Sequence, residues 1–328
     1  MRHRLLTALL SVALLLGSCA THLIPPGPPI GPAREVEDAF VMPDGTRLPY
    51  RAWLPPDGKP WAVVLALHGM NDSRDAWEYP GPDLAAEGVA VFGPDQRGFG
   101  ATEGRGYWPG TEALVDDARD MALLLRQRYP HTKLFLMGES MGAAVLMCVA
   151  TSPDPPPVSG YVLVSPAVWG RAEMNLFMRA GLWLFANLVP GFTVTGQIAH
   201  VIASDNREAI KRLSEDPLTI HGTRFDTVRG LVNLMDAALA AAPKFHARAL
   251  FMYGGKDELI PKRAAEATWR ALPPGATLAY YPADYHLMLR DHEREAPIDD
   301  ILAWMQRPDD PLPSGADRAA EAWLAKRD

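Results

Sequence analysis

The amino-acid sequence predicts an α/β fold, with a mainly parallel sheet flanked by helices and a helical insertion. Short apolar runs that are typical of buried strands alternate with segments of helical spacing, an order that favours a parallel sheet. One of these strands runs directly into a Gly-x-Ser-x-Gly turn and then a helix, over residues 133–150. Residues 167–244, in contrast, contain no good strand. They predict a helical cap over the carboxyl edge of the sheet, where open α/β sheets bind ligands.

The first elements are indicated by turn chemistry and apolar pattern. Asp44-Gly45 lies between two short runs with strand character and predicts a hairpin. Residues 61–67 are a continuous apolar run rich in valine and leucine, typical of a strand that is buried on both faces. Residues 111–129 have apolar side chains at helical spacing.

The rest of the chain divides into a tether, a main domain and a tail. Residues 19–37 are rich in proline and predict an extended, semi-rigid tether. Residues 38–306 predict the α/β domain, with the cap at about 167–245, and residues 307–328 predict a tail with a short helix. The predicted strands are 39–42, 47–54, 61–67, 88–92, 134–137, 161–164, 247–253 and 277–281, and further predicted helices are 261–271, 294–305 and 316–326.

Length, composition and charge restrict the function. The 328 residues are 48% apolar, which suits one large domain or a domain with an insertion. A formal net charge of −7 argues against a nucleic acid partner, because phosphate binding needs an excess of basic residues. The histidines show no pair at metal-ligand spacing, so we expect neither a metal nor a cofactor. Cys148, on the helix after the Gly-x-Ser-x-Gly turn, is expected to be a small buried apolar residue.

The N-terminus has the pattern of a secretory signal peptide. A basic start at residues 1–4 precedes the apolar run 5–16, which is too short for a membrane-spanning helix with these flanks. The sequence Leu-Gly-Ser-Cys that ends at Cys19 resembles the lipobox of bacterial lipoproteins. The resemblance implies cleavage of the signal peptide 1–18, acylation of Cys19 and attachment to the bacterial cell envelope, and Ala20 favours the outer membrane, facing the periplasm. The alternative is an ordinary signal peptide with a chance cysteine.

Ser140 lies at the centre of the Gly-x-Ser-x-Gly turn and is the candidate nucleophile. Strand, tight turn and helix are the context in which such a turn exposes a serine hydroxyl at a helix N-terminus. The alternative is an ordinary strand–helix turn whose serine caps the helix.

A serine hydroxyl needs a base to become a nucleophile. Two later loops supply an acid and then a histidine, the chain order that is typical of hydrolases with a Gly-x-Ser-x-Gly turn. Asp257 follows the predicted strand 247–253, and His286 follows the strand 277–281. Both therefore leave the sheet at the edge where Ser140 lies, with His286 as the base and Asp257 as its orienting acid. Glu258 is the alternative acid. His292 is the alternative base, although it lies in a charged run, residues 290–295, that predicts a solvated helix start.

Two backbone N–H groups are candidates for an oxyanion hole. The N–H of Met141 follows the nucleophile at the start of the helix, and the N–H of Met70 follows the strand 61–67, where the second donor of these hydrolases is placed. Gly69 would permit a close approach to the substrate. His68 is expected to be structural rather than catalytic.

Several motifs together resemble the α/β-hydrolase superfamily: His68-Gly-Met, Asp95-Gln-Arg-Gly-Phe-Gly, Gly138-Glu-Ser-Met-Gly, Gly255-Lys-Asp-Glu-Leu-Ile-Pro and Tyr285-His. Within that superfamily the chain is most similar to the monoacylglycerol lipase/lysophospholipase group, which shares its sequence family with some serine aminopeptidases. The resemblance spans about residues 40–305. It implies the α/β-hydrolase fold and a serine hydrolase that cleaves carboxylic esters, such as monoacylglycerols or lysophospholipids, through an acyl-enzyme on Ser140.

The cap contains an unusually apolar segment, residues 176–188. A helix that is apolar nearly all round is buried or meets something apolar. We expect Phe177, Trp183 and Phe185 to line an acyl pocket or to touch a membrane interface. The alternative is that the segment packs the cap onto the sheet domain.

Two other functions remain open from the sequence. A peptidase or amidase of the same fold would use the same triad, and one that binds a free N-terminal amine would need an acidic anchor in the cap. Glu208, Glu215 and Asp216 are candidates for that anchor. A hydrolase fold retained as a non-catalytic envelope binding protein is the third possibility.

Overall fold

A nine-stranded sheet forms the centre of the part of the chain that the structure, a computed structural model, describes: residues 23–195 and 201–326. A separate two-stranded pair lies in the cap. The strands are β1 Arg34–Val36, β2 Ala39–Val41, β3 Arg47–Trp53, β4 Ala62–Leu67, β5 Val89–Pro94, β6 Lys133–Glu139, β7 Gly160–Val164, β8 Thr193–Val194, β9 Thr223–Arg224, β10 Ala249–Gly254 and β11 Thr277–Tyr281.

The order of strands across the sheet is β1-β2-β3-β5-β4-β6-β7-β10-β11. The first three strands are antiparallel to their neighbours, and β5, β4, β6, β7, β10 and β11 are parallel. The central strand β4 is buried throughout, with Val63, Leu65 and Leu67 on one face and Ala62 and Val64 on the other. This parallel pairing confirms the predicted α/β class with a mainly parallel sheet. A strand that is buried on both faces, like β4, lies between two layers of helices.

Helices cover both faces of the sheet. One apolar cluster packs α2, α3, α6 and α7 on one face, and a second packs α1 and α8 on the other. The helices are α1 Pro80–Ala86, α2 Thr111–Arg128, α3 Met141–Ala150, α4 Leu176–Leu188, α5 Arg207–Glu215, α6 Phe225–Ala241, α7 Lys262–Ala271, α8 Glu295–Gln306 and α9 Ala316–Ala325, with 3-10 turns at Arg74–Trp77, Arg171–Glu173, Ala242–Lys244 and Met288–Arg290.

The segment between β7 and β10 is mainly helical, and its parts differ in where they pack. α6 packs against α3, with Leu234 and Ala238 fully buried, and so forms part of the layer on the sheet. α4 and α5 lie outside that layer. The sequence of this segment predicts no strand, whereas β8 and β9 pair through Thr193–Arg224 and Val194–Thr223. Two residues are too short a run to show the alternation that predicts a strand.

The proline-rich N-terminal segment is extended, but it is docked on the domain rather than free. Ile24 N donates to Trp108 O at 3.2 Å, and Ile30 N donates to Pro43 O at 2.8 Å. Gly27 N donates to Asp44 Oδ2 at 3.1 Å. β1 then adds a strand to the sheet edge. The sequence did not predict β1, because its three residues include only one apolar side chain.

Some sequence-based predictions concern residues outside the described ranges. The signal peptide 1–18 and Cys19 fall there, so signal cleavage and lipidation stay predictions. Within the described ranges, no helix has the length and apolar character that crossing a bilayer requires.

Candidate active site

Ser140 occupies the tight turn between β6 and α3, with φ 53° and ψ −110°. Strand and helix approach so closely here that side chains have no room. A Cβ on Gly138 would lie 2.5 Å from Ala143 N, and a Cβ on Gly142 would lie 2.1 Å from Leu67 O. The two glycines are therefore a steric requirement of the turn. This geometry is typical of a nucleophile elbow, which presents the serine at the positive end of a helix.

The loops after β10 and β11 bring Asp257 and His286 together. His286 Nδ1 lies 2.7 Å from Asp257 Oδ2, and both side chains are buried. The other oxygen, Asp257 Oδ1, accepts from the backbone N–H groups of Leu259 at 2.8 Å and Ile260 at 2.9 Å. These bonds fix the carboxylate, so that it holds the imidazole with Nδ1 protonated and Nε2 available as a base.

The electrostatic surroundings favour a basic His286. Burial by itself lowers the pKa of His286, but the Asp257 carboxylate, with smaller contributions from Glu139 and Asp291, raises the pKa above its ordinary value. A base with a raised pKa accepts the proton of a serine hydroxyl more readily.

The alternative acid and base lie elsewhere. Glu258 is exposed, and its Oε2 accepts from Ile202 N at 2.8 Å. His292 is exposed on the surface, with its backbone N–H bonded to Asp205 Oδ1 at 2.9 Å. The geometry therefore favours Asp257 and His286 over both alternatives.

The loop after β4 lies directly beside the nucleophile. A Cβ on Gly69 would be 3.4 Å from Ser140 Cβ, so this loop can present the Met70 N–H to the same small volume. The Met141 N–H is at the first position of α3, where a helix leaves its N–H groups without an intrahelical partner. The Met141 N–H is thus next to Ser140 in the chain, and the loop that carries the Met70 N–H lies beside Ser140 in space.

His68 has a structural place in that loop. Its Nδ1 donates to Gly69 O at 2.8 Å, and its Nε2 accepts from Gln96 N at 3.0 Å. Burial lowers the pKa of His68, with partial opposition from Asp72, so the ring is neutral and can make both bonds. Asn71 is held from the cap, because its Nδ2 donates to Thr223 Oγ1 at 2.6 Å.

Ser140 and His286 open into a mostly apolar cavity of about 320 Å³. The residues that line it come from the loop after β4, the elbow, the cap and the loops that carry Asp257 and His286. They are Gly69, Met70, Asn71, Asp72, Glu139, Ser140, Ala203, Leu213, Thr219, Leu259, His286 and Leu287. Sequence reasoning did not identify Leu213, Thr219, Leu259 or Leu287, since single apolar residues in helices and loops carry no signal of the cavity they face.

The structure does not bring the predicted cap residues to this cavity. Phe177, Trp183 and Phe185 lie on α4 with 87%, 65% and 45% of their surface exposed. Phe185 stacks on Phe225 of α6 at 4.8 Å between ring centroids, but Ala186 is the sole buried residue of α4. α4 therefore contributes an exposed apolar face rather than a lining of the cavity that the structure describes.

A buried ionic cluster borders the cavity, which two of its members help to line, and the sequence did not predict it. Arg290 Nη2 donates to Asp72 Oδ2, and the same nitrogen lies 3.8 Å from Glu139 Oε2. All three residues are buried, although the sequence placed Arg290 in a solvated charged run. Burial raises the pKa of Glu139 to about 7, against the opposing effect of Arg290.

A second, polar cavity of about 350 Å³ borders the first, and both are lined by Asp72 and Leu213. Its arginines are paired with acids, as in Arg51–Asp75 at 2.7 Å and Arg212–Glu78 at 2.6 Å. Glu215 and Asp216 also line it and form no ion pair within the described part of the chain. Glu208, the third predicted anchor, does not line this cavity and is exposed.

The remaining polar residues do not suggest a metal centre. Across residues 23–195 and 201–326, no group of three or more His, Cys, Asp and Glu side chains is arranged to hold a metal ion. His131, His221 and His246 are exposed.

Comparison with known proteins agrees with this geometry. A monoacylglycerol lipase of Mycolicibacterium smegmatis is 26% identical over 272 residues, which cover 82% of this chain and 96% of that protein. The human monoglyceride lipase is 27% identical over 255 residues, which cover 77% of this chain and 84% of that protein.

The crystal structure of a soluble variant of the Saccharomyces cerevisiae monoglyceride lipase superposes with a TM-score of 0.69. It is 18% identical and covers 87% of this chain and 97% of that one, a likeness that shows the fold. The family described as serine aminopeptidase, S33, matches residues 58–293, from before β4 to the segment after His286. Since this match spans most of the chain and includes Ser140, Asp257 and His286, the chain belongs to the serine aminopeptidase S33 family, with an α/β-hydrolase fold.

Proposed function

We propose that the protein is a serine hydrolase that cleaves carboxylic esters of the monoacylglycerol or lysophospholipid type through an acyl-enzyme on Ser140. The observation that carries this proposal is the convergence of the Asp257–His286 pair and the elbow serine on one apolar cavity. The similarity to proteins named monoacylglycerol and monoglyceride lipase supports an ester substrate with an acyl chain.

The proposed reaction has two acyl-transfer steps. His286 Nε2 takes the proton of Ser140 Oγ as that oxygen attacks the ester carbonyl, and the oxyanion accepts hydrogen bonds from the Met70 and Met141 N–H groups. The tetrahedral intermediate collapses, the C–O bond to the alcohol breaks, and the His286 imidazolium gives its proton to that alcohol. Water then attacks the acyl-enzyme, with His286 again as the base, and the carboxylic acid leaves.

The cavity lining supports an acyl chain as the group that is recognised. Met70, Leu213, Leu259 and Leu287 surround the volume next to Ser140, and few polar groups face it. Because each methylene removed from water is worth about 0.8 kcal/mol, a longer acyl chain should raise kcat/KM until the cavity is full.

A substrate panel tests the proposal. We expect p-nitrophenyl esters and 1-acylglycerols of medium chain length to be hydrolysed faster than acetyl esters, and a fluorophosphonate to label Ser140 as seen by peptide mass spectrometry. Failure to hydrolyse any ester, together with labelling at another residue or none, would contradict the proposal.

A second candidate function is favoured by one observation. The acidic side chains of Glu215 and Asp216 line the polar cavity that borders the catalytic one, so they could bind the free amine of a peptide substrate. Aminoacyl p-nitroanilides with free and acetylated amines distinguish the two functions. Turnover of the free-amine substrates alone, lost in Glu215→Gln with Asp216→Asn, would favour an aminopeptidase.

We also propose that the protein is attached to the bacterial cell envelope by a lipid on Cys19, at the outer membrane and facing the periplasm. The Leu-Gly-Ser-Cys sequence supports the lipid. Leu23 is linked through Trp108 to α6, which also contacts α4. Trp108, which pairs with Leu23, packs against Gly230 of α6, and Phe225 of α6 stacks on α4 through Phe185.

Mass spectrometry tests the anchor directly. The protein from the membrane fraction should begin at Cys19 and carry added acyl mass, and Cys19→Ser should move it to the soluble fraction. A mature protein that begins elsewhere, with Cys19 unmodified, would contradict this part of the proposal.

A further inference from the structure

The buried ionic cluster of Arg290, Asp72 and Glu139 joins three segments that the proposed reaction uses. Glu139 immediately precedes Ser140 in the elbow. Asp72 ends the loop that carries Met70, and Arg290 lies in the 3-10 turn directly after the His286 loop.

The cluster is too costly to be an incidental ion pair. The side chains of Arg290, Asp72 and Glu139 are 3%, 8% and 2% exposed, so each charge has lost most of its hydration. A buried ion pair returns that cost only when its geometry and its further hydrogen bonds are good. The Arg290 Nε has no hydrogen-bond partner in the described structure, so the pair is not fully satisfied and we do not expect it to be a net source of stability.

Asp72 connects this ion pair to the loop beside Ser140. Its Oδ1 accepts from Ser73 N at 2.8 Å, and its backbone N–H closes a turn onto Gly69 O at 3.4 Å. Gly69 and Met70 lie within that turn, next to Ser140. A shift of Asp72 would therefore move the Met70 N–H relative to the position of the oxyanion.

We propose that Arg290 is a positioning residue of this active site: it holds the Met70 loop, through Asp72, against the nucleophile turn at Glu139. The proposal rests on the proposed ester hydrolysis by Ser140. Arg290 does not contact the reacting atoms. Its effect is on where the oxyanion donor lies, and an oxyanion contact is formed in the transition state rather than in the bound ester.

The test is the kcat and KM of Arg290→Met with a medium-chain p-nitrophenyl ester. Removing one oxyanion donor costs about 10²–10³ in kcat, so we expect kcat to fall by about 10²-fold while KM changes by less than about threefold. Arg290→Lys, which keeps the charge but not the planar fork, should recover part of the loss. Arg294→Met is the matched control: Arg294 lies four residues later, pairs with Asp83 at 3.7 Å, and should keep wild-type kcat.

A neutral triple variant keeps the test decisive if Arg290→Met does not fold. Asp72→Asn with Glu139→Gln and Arg290→Met removes all three buried charges, which proteins tolerate far better than one unpaired charge. We expect the triple variant to fold, by circular dichroism and urea unfolding, and to retain the kcat defect. Wild-type kcat in either folded variant, or a loss confined to KM, would overturn the proposal.

The two levels of inference fail separately. If wild-type protein hydrolyses no ester, the proposed function fails. If wild-type protein hydrolyses esters and loses this in Ser140→Ala, while Arg290→Met matches Arg294→Met, the proposed function stands and the positioning role of Arg290 is wrong.

Discussion

Helices α3 and α4 are both strongly apolar, yet one is almost wholly buried and the other almost wholly exposed. In α3, directly after Ser140, eight of ten residues are buried, under α2 and α6 and against the sheet. In α4 the sole buried residue is Ala186, and Phe177 and Trp183 face outward. An apolar pattern therefore predicts that a helix needs an apolar partner, but it does not say whether that partner is the same chain.

The two helices also differ in how firmly they are held in position. α3 starts at a turn whose backbone conformation is fixed by contacts with β4, so its position sets the position of the nucleophile. α4 is held through a few contacts to α6, among them the ring stack of Phe185 on Phe225. Changes in α3 should therefore act on chemistry and stability, and changes in α4 on what the protein binds.

The largest effect is expected at the N-terminus of α3. Ser140→Ala removes the nucleophile and should reduce ester kcat by about 10⁴-fold or more, with little change in urea stability. The matched control is Ser165→Ala. Ser165 also follows a central strand, has φ 44° and is buried, but it has no catalytic place. Equal activity of the two alanine variants would break the assignment of the elbow.

A pair of glycine substitutions tests the packing difference. Gly142→Ala in α3 places a Cβ 2.1 Å from Leu67 O, so we expect a loss of about 3 kcal/mol in the free energy of unfolding. Gly181→Ala in α4 meets no atom within 4 Å and improves helix propensity, so stability should rise by about 0.5–1 kcal/mol. Urea unfolding of both variants measures this. Effects of the same sign would contradict the contrast between the helices.

The apolar face of α4 should matter for lipid surfaces and not for soluble substrates. Burying a large apolar side chain is worth about 1.5–3 kcal/mol, so Phe177→Ser with Trp183→Ser should weaken binding to phosphatidylethanolamine/phosphatidylglycerol vesicles by about tenfold or more. Turnover of a short soluble ester should stay within about twofold. Leu54→Ser, at another exposed apolar residue, is the control. Unchanged vesicle binding in the double variant would leave the face without this role.

The smallest effect is electrostatic. An ionised Glu139 contributes to raising the pKa of His286, so Glu139→Gln should move the acidic limb of the kcat/KM–pH profile to lower pH. The charged groups around Glu139 are Arg290, Asp72, His286 and Asp291, and all remain in the variant. A limb that moves to higher pH would contradict the sign.

The pH dependence of the free energy of unfolding should also reflect the raised pKa of Glu139. Its pKa is raised from 4.5 to about 7, so between these values the folded protein binds more protons than the unfolded chain. The free energy of unfolding of the wild type should therefore fall, relative to Glu139→Gln, as pH rises from about 4.5 to about 7. Urea titrations at pH 5 and pH 8 measure the difference, and an opposite trend would place the carboxyl in a different environment.

The sheet and the order of the catalytic loops could be predicted from sequence, because both follow from local pattern. β4 is a continuous apolar run, as are residues 134–137 of β6, and Asp257 and His286 follow strands that must end at the same edge of a parallel sheet. The buried Arg290 could not be predicted, since a run of charged residues normally indicates a solvated surface. Its burial depends on Asp72 and Glu139, which are distant in sequence.

The docked N-terminal segment would also limit how far a lipid-anchored domain can lie from the membrane. Leu23 forms a β-bridge with Trp108, and an extended chain spans at most about 3.6 Å per residue, so the four residues that separate a lipidated Cys19 from Leu23 would allow a connection of at most about 14 Å. A lipid on Cys19 would therefore hold the domain close to the membrane surface. The enzyme would search for esters by lateral diffusion in a thin layer above one leaflet, where an amphiphilic substrate is concentrated, and would have little access to dilute substrate in the surrounding fluid.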